Sequence, residues 1–109
     1  MKVFYSHLVV IEDLTSELDK WEIASEEKAE MLQLIEETLH HHTLNVILNH
    51  LPGHKHNEFL ENLENNPENG EMLQWLKSEI SGDIEAAIKV QADRIKKELL
   101  LEIRKSRKT

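Results

Sequence analysis

Residues 25–51 read SEEKAEMLQLIEETLHHHTLNVILNHL, the longest stretch of the chain with one clear period. Apolar residues recur at Ala29, Leu32, Ile35, Leu39, Val46, Ile47 and Leu51, close to the 3.6-residue spacing of a helix face. Ser25 carries the side chain of a helix N-cap, and Glu26 and Glu27 place negative charge where the helix dipole favours it. Pro52-Gly53 ends the pattern. A helix over these residues is about 39 Å long. Its apolar stripe cannot remain wet, so other helices must cover it. The weak helix formers His40-His41-His42-Thr43 mark the place where it bends most easily.

On the N-terminal side, Phe4, Leu8, Ile11, Leu14, Leu18 and Trp21 step by 4, 3, 3, 4 and 3. That spacing predicts a helix over about residues 4–20. The β-branched Val9, Val10 and Ile11 suggest a short strand instead, but no second strand pattern is present to pair with it. On the C-terminal side, a short helix is predicted over residues 55–64, with Phe59, Leu60 and Leu63 as its apolar face. The loop Asn65-Asn66-Pro67-Glu68-Asn69-Gly70 follows. A further short helix over 71–80 turns Met72, Leu73, Leu76 and Ile80 inward, with Trp75 near the edge. Ser81-Gly82-Asp83 breaks the chain again, and Asp83 is a good N-cap. The last helix, 83–104, carries Ile84, Ile88, Ala92, Ile95, Leu99 and Ile103 on one face, with Leu100 and Leu101 beside it.

The expectation is an all-α, compact bundle of about five helices. The two long helices, 25–51 and 83–104, lie antiparallel because each needs a long partner. Residues 1–104 form a single helical domain and 105–109 a basic, frayed tail. One domain is what 109 residues support. Only 3 Gly, 2 Pro and 5% aromatic residues argue against a β-sandwich. The mean hydropathy of -0.51 and the 39% apolar content point to a thin bundle, or to one that shares surface with a partner.

These pieces in this order resemble a known family. They are Ser25-Glu26-Glu27-Lys28-Ala29-Glu30 opening a long helix that ends at Leu51-Pro52, then Glu58-Phe59-Leu60-Glu61-Asn62-Leu63, then Met72-Leu73-Gln74-Trp75-Leu76-Lys77. Asp83-Ile84-Glu85 and a closing helix of mixed charge, with Arg94 to Glu98 inside it, complete the set. Together they resemble a family of short, acidic, all-helical bacterial proteins of unknown function, found mainly in candidate phyla with reduced genomes. The resemblance spans about residues 8–104 and implies an all-helical fold; it implies no activity. Seven histidines and a basic tail depart from it.

Charge is unevenly spread. Residues 1–88 hold 5 Lys/Arg against 18 Asp/Glu, a balance of -13, and residues 89–109 hold 8 against 3, a balance of +5. The acidic body repels nucleic acid and anionic lipid. The basic residues Arg94, Lys97, Arg104, Lys105, Arg107 and Lys108 form a candidate phosphate-binding patch, but no aromatic residues interleave with them for base stacking. Cations at a helix C-terminus also complement its dipole, and they can lie on the protein's own acidic surface. Nucleic-acid contact is therefore a third reading.

The histidines supply the second. His40, His50, His54 and His56, with Glu37 three residues before His40, are the candidate metal ligands. A closed site needs three or four converging groups. Glu-x-x-His occurs once, whereas di-iron bundles use it on two helices. Pro52-Gly53 separates His50 from His54. Solvated surface histidine is the preferred reading, with no metal and no cofactor. Full protonation of the seven would move the formal charge from -8 to -1, which would weaken electrostatic binding in acid.

No glycine-rich phosphate loop, no His-Glu-x-x-His and no nucleophile–base order is present, so no enzyme is expected. There is no cysteine for disulfides or thiolate metal sites. No apolar run is long enough to span a membrane, which makes the cytoplasm the default compartment. The first reading is thus a non-catalytic protein–protein interaction module. It docks a protein partner, or a second copy as a homodimer, through Met72, Trp75, Ile88, Ile95 and Leu99.

Overall fold

The computed structural model describes residues 3–106. Five α-helices follow one another: α1 (Glu12–Asp19), α2 (Ser25–His50), α3 (His56–Asn65), α4 (Glu71–Glu79) and α5 (Ile84–Ser106). Short 3-10 turns occupy Ser6–Leu8 and Gly53–Lys55, and no strand occurs among the described residues. α2 is unbroken through its histidine run and stops at Leu51, which is extended at φ -89, ψ 134. α5 carries helix two residues past Arg104.

The fold is a helical bundle built on the α2–α5 pair. The two helices run antiparallel: Met31 and Ile35, near the start of α2, share a groove with Leu99 and Ile103, near the end of α5. Their seam buries Ile35, Leu39 and Ile47 from α2 against Ile84, Ile88, Ala92 and Ile95 from α5, each at most 4% exposed. Burying one such aliphatic side chain contributes roughly 1.5–3 kcal/mol. Thr43 falls in the same buried row, and its hydroxyl donates to the Leu39 carbonyl at 2.7 Å, so no polar atom is stranded there.

The helix ends use local chemistry. The Asp83 carboxylate accepts from the Ala86 N–H at 3.1 Å, which is the N-cap expected of it. Asn69, one residue before the Gly70 cap position of α4, accepts from the Glu71 N–H at 3.1 Å. Ser25 does not cap α2. The cap position falls on Ala24, with no side-chain hydrogen bond, and Ser25 is already helical. Gly82, at φ +110, makes a turn that a side-chain-bearing residue adopts only under strain.

The N-terminal segment departs from the expected helix over 4–20. Only Glu12–Asp19 is α-helical. Residues 3–5 fold on themselves: the Val3 N–H donates to Ser6 Oγ, and the Ser6 hydroxyl donates to the Val3 carbonyl, both at 2.8 Å. The Phe4 N–H donates at 2.8 Å to the carbonyl of Pro67, in the α3–α4 loop. A helix through these residues would forfeit that long-range bond. The segment still buries Val3, Phe4, Tyr5, Leu8 and Val9, so its apolar content was real and its period misleading. The strand alternative also fails, because the segment makes a 3-10 turn.

α3 and α4 close the side of the bundle next to this segment. Phe59 is fully buried, and its ring meets Phe4 edge-on at 6.2 Å. Leu63 is half-buried, whereas Leu60 is 41% exposed and lies outside the apolar face expected for it. Met72, Leu73, Leu76 and Ile80 are buried as their spacing predicts.

Candidate functional site

α1 lies along the second half of α5. Lys96 donates to the Val10 carbonyl at 2.8 Å and meets Asp13 at 3.3 Å, and Arg104 bonds Glu17 at 2.7 Å. The Arg104 guanidinium holds the Glu17 carboxyl below the usual carboxylate range, chiefly by that hydrogen bond. Part of the basic end is therefore used on the protein's own acidic helix.

The adjoining face of the α2–α5 pair holds an open groove. Met31, Leu34 and Ile35 from α2 and Leu99, Glu102 and Ile103 from α5 enclose an open groove of about 260 Å³. Only Ile35 among them is fully buried. Leu34 is 61% exposed on the α2 side of the groove, whereas Leu101, 54% exposed, stands about 200° around α5 from Leu99 and faces away from it. An isolated exposed leucine is ordinary; Leu34 beside Met31, Leu99 and Ile103 extends an apolar groove. Exposed charges border it. Glu30 and Glu37 lie one helical turn to either side of Leu34, and Glu102 lines the groove from α5.

The residues expected to bind a partner are placed differently. Met72, Ile88 and Ile95 are buried at 3%, 0% and 4% exposure. They serve the core, because the α2–α5 pair already consumes the face of α5 assigned to docking. Trp75 is half-buried on a shallow cleft with Asn62, Asn69 and Glu71. Leu99 alone of the five reaches the groove. Of the basic patch, Arg94 sits 4.0 Å from Glu98, Arg104 is tied to Glu17, and Lys97 and Lys105 are exposed. Arg107 and Lys108 lie outside the described residues.

The candidate metal ligands do not converge. His40 bonds the Tyr5 hydroxyl through Nδ1. His50 reaches the Val46 carbonyl at 2.8 Å, and His56 the Leu51 carbonyl at 2.9 Å. His54 and Glu37 are exposed, and Glu37 accepts from Gln33 at 3.2 Å. Among the described residues no group of three His, Asp or Glu side chains could hold a metal ion.

The Tyr5–His40 pair was not legible from sequence, since 35 residues separate its members. The rings stack at 5.8 Å, and Tyr5 is fully buried. Burial pushes the Tyr5 phenol well up, with the Thr43 hydroxyl acting against it. The phenol therefore stays protonated and donates, so His40 Nδ1 accepts and the ring is neutral. His40 is held below the ordinary imidazole value, first by burial and then by His41. The sign of the pH dependence follows. The folded state disfavours the proton, so the full contribution is present above the unfolded histidine value of about 6.5 and is lost as pH falls below it. Urea midpoints are expected to drop between about pH 7.5 and pH 5. His40→Gln should remove that part of the decline, and an unchanged profile would refute the assignment to His40.

No helix among the described residues is long and apolar enough to cross a membrane. Comparison of the chain with protein-family models, with curated proteins and with solved structures finds no match in any of the three.

Proposed function

We propose that this chain is a non-catalytic interaction module that docks a protein helix in the groove between the start of α2 and the end of α5. One observation carries the reading: the groove lined by Met31, Leu34, Leu99 and Ile103 is the place where the apolar α2–α5 seam reaches the surface among the described residues. Its volume, about 260 Å³, is below the range of roughly 300–1,000 Å³ usual for small-molecule pockets. It is open and mostly apolar, with Glu102 on its α5 side and Glu30 and Glu37 beside Leu34 on its α2 side. An amphipathic helix presents the complementary surface, with anchors at i, i+3 or i+4 and charges beside them. The fold offers no convergent catalytic groups in this groove; Glu102 is its single ionisable side chain.

The test is quantitative capture by the full chain and by a Leu34→Glu variant. Leu34 is exposed, so the variant keeps its fold, which far-ultraviolet circular dichroism checks. Loss of captured protein with the variant supports the groove as the docking site. Equal capture by both forms contradicts it.

A further inference from the structure

Resting on that reading, we propose that the partner helix is cationic: its apolar anchors enter the groove, and its lysines or arginines lie over Glu30 and Glu37 on the α2 side and Glu102 on the α5 side. The floor of the groove selects no charge. Met31, Leu34, Leu99 and Ile103 offer apolar surface, and Glu102 is the one ionisable side chain among the lining residues. The charge of the occupant is therefore set at the rims.

The α2 rim is acidic. At about 100° per residue, Glu30 and Glu37 stand about 40° and 60° farther around the helix from Ile35 than Leu34 does. They sit outside the leucine, one turn before and after it, where a helix laid in the groove brings its flanking residues. Glu30, Glu37 and Glu102 are all exposed. Among the described residues none of the three belongs to an ion pair. Glu37 accepts from the neutral Gln33 amide at 3.2 Å, which leaves its charge uncompensated.

The neighbouring cations are engaged elsewhere or face elsewhere. Lys96 and Arg104 turn to α1, where they hold Asp13 and Glu17. Arg94 sits 4.0 Å from Glu98, and Lys28 is bonded to Asp19. Lys97 and Lys105 are exposed, but they stand about 160° and 120° around α5 from Leu99. Along α1 the fold itself meets the bases of α5 with acids. At the groove the acids are in place, and the bases must come with the partner. Exposed ion pairs add little affinity of their own. Their effect is selection: they steer a cationic helix in and repel an acidic one. The balance of -13 over residues 1–88 extends the same attraction to longer range.

Fluorescence anisotropy of the full chain with two labelled peptides tests this. Each peptide has about 18 residues, about 27 Å as a helix, with leucines at i, i+3, i+4 and i+7 along one face. One carries lysine on its flanks and the other glutamate. The lysine peptide is expected to bind, and the glutamate peptide to bind about 100-fold more weakly. Glu30→Lys with Glu102→Lys should weaken the lysine peptide about tenfold. Glu58→Lys, at the start of α3 beyond the far end of α2, lies well outside a Debye length of about 8 Å and should change binding by less than about twofold. Leu34→Glu separates the groove from general attraction, because it removes an anchor and adds an acid. Docking in the groove predicts binding about 30-fold weaker; attraction to an acidic surface alone predicts tighter binding. Equal affinity for the two peptides overturns the cationic partner, as does lysine-peptide binding that Leu34→Glu strengthens or that Glu58→Lys weakens as much as the rim variant does. The two readings fail separately. A lysine peptide that does not bind overturns the cationic partner in every case. Capture of another protein that depends on Leu34, or a dimer in sedimentation that depends on Leu34, then keeps the docking groove with a different occupant. Absence of both removes the groove as well.

Discussion

Phe59→Ala is expected to lower the unfolding free energy by about 3–5 kcal/mol, the usual cost of emptying a phenylalanine site in a core. Phe59 is fully buried on α3, and its ring centroid is 6.2 Å from that of Phe4. Phe4 in turn lies 5.3 Å from Tyr5, and Tyr5 bonds His40 on α2. One aromatic chain therefore fastens α3, the irregular N-terminal segment and the middle of α2. The cavity left by the ring cannot collapse, because Phe4 is also pinned through its backbone to Pro67. Urea denaturation gives the loss directly. Leu60→Ala, on the same helix but 41% exposed, serves as the control and should cost well under half as much. Similar losses at the two positions would show that Phe59 is not the anchor of α3.

Ile88→Ala on α5 is expected to cost about 2–5 kcal/mol, since the site is fully buried in the α2–α5 seam. Val90→Ala, two residues on and 68% exposed, should stay within about 0.5 kcal/mol. For a chain near 100 residues each kcal/mol shifts the midpoint by about 4–8 °C, so thermal melting separates the two variants plainly. Equal effects would mean that α5 does not present the face assigned to it.

The contrast between these positions bears on what the sequence could reveal. The long helices were legible because α2 and α5 repeat an apolar residue over six or more turns, which averages out local exceptions. Pro52-Gly53 and Asp83 marked their ends through backbone chemistry that needs no tertiary context. The N-terminal segment was misread because six apolar residues at helical spacing also suit an irregular strap buried by its neighbours. The deciding interaction, Phe4 with Pro67, joins residues far apart in the chain. The Ser25 cap failed by one position, since helix entry depends on where the preceding link leaves the bundle.

The groove was harder to see. Ile88, Ile95 and Met72 looked available because a helix face carries no mark of which neighbour will cover it. Leu34 stands one residue off the main apolar row of α2 at Ile35–Leu39 and lines the groove. That broadening of the α2 stripe near its start was the available signal. It becomes informative only when the antiparallel register brings the two ends together. The histidines misled in the opposite way: they cluster in sequence, yet His40, His50 and His56 each spend a ring nitrogen on a separate local partner.

The most direct test is a nuclear Overhauser spectrum of methyl-labelled protein in dilute solution. The antiparallel seam and its open end predict cross-peaks from the Met31 and Ile35 methyls to those of Leu99 and Ile103. Cross-peaks joining Ile35 to Ile84 instead, or none between α2 and the end of α5, would contradict the seam and the groove built on it.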